Sequence, residues 1–319
     1  MAAVDRASLL IDTMSSRFRP IRDGLLLVGL YYSTKWTCKT LWSLYKSFKT
    51  YALPQVWPRD FAEEYGQWAI VTGASRGIGK SYAYELAKRG LNLILIARSE
   101  SLLSQIAKEI EESHRVKVES IVADMSQSDV FAKIEEGIAD KDIGILVNNA
   151  GIGMEPNYLN AMDNDRMQQM IMVNVYALTH MTKMVLPQME AKRKGAIVNV
   201  SSMASLVPHG AISVYSGTKA FVNFFTRALQ QEYASKNITI QCLTTGAVNT
   251  DMLSLVDTDV NAVGIPSPDA YASSALKTLG FSNYTCGHWM HSLQSTLVLE
   301  HLSPSVLFFF LRGFIKTKQ

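Results

Sequence analysis

Tyr215 and Lys219 stand four residues apart in Val214-Tyr215-Ser216-Gly217-Thr218-Lys219-Ala220, ahead of a long amphipathic run. On a helix, positions i and i+4 share a face, so a phenol and an ammonium would point into the same space. The positive charge favours phenolate over phenol and is expected to lower the tyrosine pKa. The product would be a proton donor and acceptor usable near neutral pH, which a tyrosine at about 10 is not. The same spacing also suits an exposed helix face, and the surrounding motifs decide between the two.

The first of these is Trp68-Ala69-Ile70-Val71-Thr72-Gly73-Ala74-Ser75-Arg76-Gly77-Ile78-Gly79-Lys80. An apolar strand-like run enters a glycine turn, and a helical pattern follows through Tyr82, Leu86 and Ala87 to a C-capping Gly90. Strand, glycine loop and helix are the context a dinucleotide fingerprint needs. Gly73 permits the tight turn, while Gly77 and Gly79 let backbone and helix approach a pyrophosphate. The helix N-terminus offers that phosphate unpaired N–H groups and a positive dipole end. The next strand, Leu91 to Ile96, ends at Ala97-Arg98-Ser99, where a site for NAD would place an acid to hold the ribose 2′-hydroxyl. Here Arg98 stands instead, with Arg76 in the glycine loop. Two guanidinium groups at that corner suit a 2′-phosphate, which points to NADP(H).

Further pieces follow in order. Asp124 ends the strand-like run Glu119 to Ala123 and could meet the adenine. Ile143 to Val147 runs into Asn148-Asn149-Ala150-Gly151. Asn174 lies inside an apolar helical stretch, and Ala196 to Val200 ends at Ser201-Ser202. With Tyr215 and Lys219, this ordered set resembles the short-chain dehydrogenase/reductase family over about residues 66 to 285. The resemblance implies an α/β fold: a single Rossmann-type doubly wound parallel sheet with helices on both faces. It implies that Tyr215 protonates a carbonyl oxygen as hydride arrives, that Lys219 binds the nicotinamide ribose and tunes Tyr215, and that Ser202 hydrogen-bonds the substrate oxygen. Ser202 is preferred to Ser201 because the family places its serine thirteen residues before the tyrosine. Asn174 would hold a water that resupplies protons through Lys219. Gly73, Ser75, Arg76, Gly77, Ile78, Gly79, Arg98, Asp124, Asn148, Ala150 and Gly151 would contact the cofactor, as would Gly246, Val248 and Thr250. One departure is visible: Thr245 replaces the proline that often follows the next strand, so the turn loses a fixed φ.

Val185-Leu186-Pro187-Gln188-Met189, Glu232-Tyr233-Ala234-Ser235-Lys236 and Pro266-Ser267-Pro268 are similar to the 17β-hydroxysteroid dehydrogenase and very-long-chain 3-oxoacyl-CoA reductase branch. Met1 to Asp5 and Gly287-His288-Trp289 are similar to hydroxysteroid dehydrogenase-like proteins, some of which lack the tyrosine and are considered inactive. Tyr215 is present here. The substrate expected from the branch is lipid-like, a 3-oxoacyl-CoA or a ketosteroid, with Met252 to Pro268 as the substrate segment. A homodimer through the helices holding Asn174 and Tyr215 is implied by resemblance alone, as is an endoplasmic reticulum membrane location with the catalytic domain facing the cytosol, a mitochondrion being the alternative.

The 319 residues allow one large α/β domain and an appendage. Alternating strand and helix patterns from Trp68 onward call for a parallel sheet covered on both faces. Residues 1–60 form an apolar, basic leader with nine Lys/Arg against four acids, a balance of +5, while the remainder carries 22 against 24. A basic excess confined to the leader argues against a nucleic-acid surface and for a membrane-surface role. The uncharged run that begins at Gly24 ends at Lys35, short of the roughly 20 apolar residues that span a bilayer. Lys35, Lys39 and Lys46 with interleaved Trp and Tyr read as interfacial. Pro54 and Pro58 mark a linker into a catalytic domain over 61–285, and 286–319 form an apolar and basic extension. Cys38, Cys242 and Cys286 imply no disulfide framework. His288 and His291, without a nearby Cys or acid, are not expected to hold a metal.

Overall fold

The computed structural model describes the backbone of residues 2–153, 155–255 and 264–299, and side chains from residue 18 to 296 within those stretches. The aliphatic runs form strands β1 (Trp68–Thr72), β2 (Asn92–Ala97), β3 (Val118–Val122), β4 (Ile143–Asn148), β5 (Gly195–Val200), β6 (Ile238–Leu243) and β7 (Tyr284–Thr285). They pair in parallel in the order β3-β2-β1-β4-β5-β6-β7. The helices are α1 (Ala2–Val56), α2 (Phe61–Glu64), α3 (Gly77–Ala87), α4 (Glu100–His114), α5 (Val130–Ile138), α6 (Asn164–Ile171), α7 (Leu178–Lys192), α8 (Ser213–Glu232), α9 (Pro268–Lys277) and α10 (Trp289–Leu299).

Successive strand residues point to opposite faces, so a sheet buried on both sides needs continuous apolar runs. The strands divide accordingly. Ala69, Val71, Leu93, Leu95, Ile145 and Val147 pack with Tyr82 of α3, Leu103 of α4 and Tyr271 of α9. Their neighbours Ile70, Ile94, Ile96, Leu146 and Ile197 pack with Phe131 of α5, Met181 of α7 and Leu229 of α8. The doubly wound sheet expected from the sequence is therefore the observed one. Its strand order reverses between β1 and β4, which opens a crevice at the carboxyl ends of those strands.

The chain divides into two compact units, one ending at Phe48 and the other beginning at Lys49. The first is helix α1 up to Phe48, with Leu25, Leu26, Leu30, Trp36, Trp42 and Phe48 exposed along it. Among the described residues no helix is long and apolar enough to cross a membrane. The second unit contains the sheet together with the last turns of α1. Pro54, read from the sequence as linker, lies buried in the final turn of that helix. The apolar run Leu302–Leu311 lies outside the described residues, as does part of the expected substrate segment, 256–263.

Candidate active site

The glycine turn follows β1 directly. Gly73 and Gly77 have φ of +67° and +53°, a region that side chains with a Cβ rarely enter. Gly79 begins the close approach of α3 to the turn: a Cβ there would lie 2.3 Å from the Gly73 carbonyl oxygen and 2.4 Å from Asn149 Nδ2. Arg76 is the N-cap of α3 with extended backbone, and no side chain caps the helix. The first amides of α3 thus lack a side-chain acceptor, at the place where the sequence puts a pyrophosphate. The residues present fit a dinucleotide. Ser75 and Ile78 lie in the same turn and are partly buried.

Two residues that the sequence reading did not single out hold this turn against the next loop. The Thr72 hydroxyl donates to Val147 O (3.3 Å) and accepts from the amides of Asn149 and Ala150 (both 3.0 Å). Asn149 Nδ2 donates to the carbonyls of Thr72 (3.0 Å) and Gly73 (3.3 Å). Their signal was present in the paired asparagines and in the threonine before Gly73, but only the fold shows them crossing from β1 to β4. Asn148 points into the interior, donating to Thr182 Oγ1 (2.9 Å) and Asn199 Oδ1 (2.8 Å). Asp124 holds the turn after β3 by accepting from the Ser126 amide (3.0 Å) and hydroxyl (2.9 Å). Arg98 is exposed at the end of β2, and Arg76 is exposed and paired with Asp251 at 3.0 Å.

The run from Asn164 to Lys192 is not a uniform α-helix. Met172–Ala177, between α6 and α7, is a π-helical turn, a form that concentrates at functional sites. It presents Asn174 inward, where the amide accepts from Ile152 N (2.7 Å) and donates to Ile152 O and Thr218 Oγ1 (both 3.0 Å). Thr218 in turn donates to Tyr215 O at 2.7 Å, so Asn174 links the loop after β4 to the start of α8. A Cβ on Gly151 would lie 3.4 Å from Lys219 Nζ and 3.5 Å from Asn174 Oδ1, so both groups converge on that glycine.

α8 carries Tyr215 and Lys219 on one face, with Lys219 Nζ 5.9 Å from the Tyr215 ring centroid. Lys219 is buried and donates to Val200 O at 2.9 Å. Burial depresses its pKa to about 8. The expectation that Tyr215 is lowered is corrected here. Burial raises the phenol, and the Ser202 hydroxyl, in hydrogen-bonding reach, only partly draws it back. Desolvation of the phenolate is the larger effect and sets the direction. The two serines have separate uses. Ser201 Oγ donates to Lys219 O (2.8 Å) and is spent on the helix. Ser202 Oγ accepts from Ala204 N (3.1 Å), which leaves its hydrogen to face Tyr215.

The loop after β6 lacks its expected proline but is fixed by other means. Thr245 shares a 2.6 Å hydrogen bond with the buried Tyr271, and its carbonyl accepts from Met203 N (2.9 Å). Val248 is buried, and Thr250 lies against the glycine turn, its Cγ2 3.0 Å from where a Gly77 Cβ would be. Met252 and Leu255 flank Gly153 in the same way. Of the apolar side chains expected to line a substrate segment, Val256, Val260 and Val263 lie outside the described residues. Among the described residues no cluster of His, Cys, Asp and Glu could hold a metal ion.

A parallel sheet with a glycine turn at its reversal point, and Asn, Ser, Tyr and Lys gathered beyond it, defines a nicotinamide-type oxidoreductase. The chain belongs to the short-chain dehydrogenase family, whose profile matches residues 67–261. It is 40% identical to human inactive hydroxysteroid dehydrogenase-like protein 1 over 92% of this chain and 90% of that one. It is 41% identical to zebrafish very-long-chain 3-oxoacyl-CoA reductase-A over 79% of this chain and 80% of that one. Among solved structures, a short-chain dehydrogenase from Sphingobium yanoikuyae in complex with NADPH superimposes with a TM-score of 0.66 at 27% identity. The match covers 79% of this chain and 97% of that one.

Proposed function

We propose that the protein is an NADP(H)-dependent ketoreductase acting on the carbonyl of a lipid-like substrate, a 3-oxoacyl-CoA or a ketosteroid. The observation that carries this reading is the convergence of Ser202, Tyr215 and Lys219 at one end of the sheet, with Asn174 tying the loop after β4 to the helix that holds Tyr215 and Lys219. The cofactor, when bound, supplies hydride to the carbonyl carbon. The turn Gly73–Gly79 and the amides of α3 would hold its pyrophosphate, Arg76 and Arg98 its 2′-phosphate, and the loop Gly246–Thr250 its carboxamide. Ser202 donates a hydrogen bond to the substrate oxygen and Tyr215 delivers the proton. Burial keeps the phenol protonated at rest, which suits an acid. Lys219 then stabilises the phenolate and passes on a replacement proton along the path that Asn174 lines.

The similarity to a very-long-chain 3-oxoacyl-CoA reductase supports the substrate class. The relative named as inactive supports a second reading, a cofactor-binding scaffold without turnover. NADPH oxidation separates them, with a long-chain 3-oxoacyl-CoA and with estrone or androstenedione as substrates. Tyr215→Phe should lower the rate by roughly 10²–10⁴-fold while leaving NADPH bound. NADPH binding with no Tyr215-dependent turnover of any of the three would favour the scaffold.

The exposed Ile171, Tyr176, Phe221 and Phe224, on the helical segments holding Asn174 and Tyr215, favour a homodimer through that face. The exposed aromatic and aliphatic side chains of α1, interleaved with lysines, favour a leader lying on a membrane surface. The endoplasmic reticulum with the catalytic domain in the cytosol is the location this reading carries.

A further inference from the structure

We infer that His291, on the C-terminal helix, is a positioning residue for the loop Gly246–Thr250, and that the end of the leader helix braces it through Tyr51. This inference rests on the proposed role of that loop in holding the cofactor carboxamide.

His291 is fully buried, and both ring nitrogens are spent on the loop. The Gly246 amide donates to Nδ1 at 3.3 Å, and Nε2 lies 2.9 Å from Ala247 O. With Nδ1 accepting, Nε2 carries the hydrogen and donates it, so the ring acts as a neutral imidazole of one tautomer. Burial holds it in that form at neutral pH, its pKa lowered to about 4. Contact is close: a Cβ at Gly246 would sit 2.7 Å from the ring, so only glycine admits the histidine there. The flanking Thr245 is anchored to Tyr271, whose ring lies 5.7 Å from that of His291. Three consecutive loop residues are therefore fixed by side chains from α9 and α10, where the family's usual proline is missing.

The next residue of α10 extends the brace. Tyr51, in the last turns of α1, shares hydrogen bonds with Ser292 Oγ (2.8 Å) and Thr285 Oγ1 (2.9 Å). Thr285 closes β7, and its carbonyl accepts from Thr244 N at 2.9 Å, one residue before the anchored Thr245. A hydroxyl on the leader helix thus reaches the loop by two short routes, through α10 and through β7. All of these residues lie in the unit that begins at Lys49.

The test uses full-length protein, with NADPH affinity by fluorescence, turnover, and amide hydrogen exchange of the peptide spanning 246–250. His291→Ala removes two buried hydrogen bonds. It should speed exchange in that peptide and weaken NADPH binding about tenfold, with a rise in KM for NADPH larger than the fall in kcat. His291→Gln, which keeps a donor for Ala247 O, should recover part of the affinity. Tyr51→Phe, which preserves packing, should weaken NADPH binding about threefold. Faster exchange with unchanged NADPH affinity in both His291 variants would overturn the positioning role, as would unchanged exchange. Unchanged affinity in Tyr51→Phe would overturn the brace. If the unmodified protein binds no NADPH, the proposed function has failed instead, and exchange in His291→Ala still judges whether the histidine holds the loop.

Discussion

Lys219 is a charged group in a place that opposes charge. Among the described residues its ammonium has a backbone carbonyl for a partner and no carboxylate, and burial holds its pKa near 8, against an ordinary lysine value of 10.5. Two consequences follow. The reductive rate should fall as pH rises through about 8, because Lys219 then loses the charge that supports the Tyr215 phenolate; a pH profile of kcat for the unmodified enzyme checks this. The second concerns stability. Between about pH 8 and 10.5 the unfolded chain binds a proton at this lysine that the folded chain does not, so stability rises with pH in that window. Below it the full burial penalty, on the order of 3 kcal/mol, is present. Lys219→Met should therefore gain stability relative to the unmodified protein at pH 7, and the gain should shrink toward pH 10 in denaturant titrations. The sequence told which two side chains share a helix face. It could not tell that burial would push the phenol up, since pKa depends on how much water the fold removes.

At the scale of the element, the π-turn and the loops matter more than the strands. Asn174 satisfies both backbone groups of Ile152 and reaches Thr218, so its amide does work that neither a carboxylate nor a methyl can copy. Asn174→Asp keeps the acceptor for Ile152 N but leaves Ile152 O and Thr218 without a donor. It should cost about 1–3 kcal/mol in thermal or chemical unfolding and also reduce turnover. Asn174 was legible as an amide inside an apolar stretch, but the change from α to π hydrogen bonding was not, because residue spacing at 3.6 per turn gives no sign of it. Thr245 shows the opposite case. Its departure from the family pattern was plain in the sequence, and the compensation by Tyr271 lay 26 residues away, visible only once α9 had packed. His291 was likewise noted only as one of a histidine pair, because its partners are backbone atoms that leave no trace in residue types.

Across the whole molecule, the parallel sheet was readable because its strands are nearly pure aliphatic runs separated by amphipathic helices, and burial on both faces demands that pattern. The glycine turn and the Ser-Tyr-Lys set were readable because their spacing follows chain order. The end of the leader was not, since Pro54 suggested a break where the helix continues for a further two residues. The leader's exposed Leu, Trp and Tyr side chains have the composition of an interfacial helix. The full chain should therefore sediment with anionic lipid vesicles, and replacing Leu26, Leu30, Trp36 and Trp42 with Ser should release it without altering NADPH affinity.

The π-turn at Met172–Ala177 has a meaning in genetic terms. A π-turn can be regarded as an α-helix with one residue inserted. In-frame loss of a single codon within it would let the helix revert to regular α winding, with no frameshift and hardly a change in composition. Because the turn absorbs its extra residue locally, α6 and α7 would keep their faces and the change would fall on the turn itself, whose inward presentation of Asn174 depends on the wider winding. Asn174 would then leave Ile152 and Thr218. A three-nucleotide deletion here is thus expected to be a loss-of-function allele, whereas the same deletion in the exposed middle of α1 would leave the catalytic residues in register.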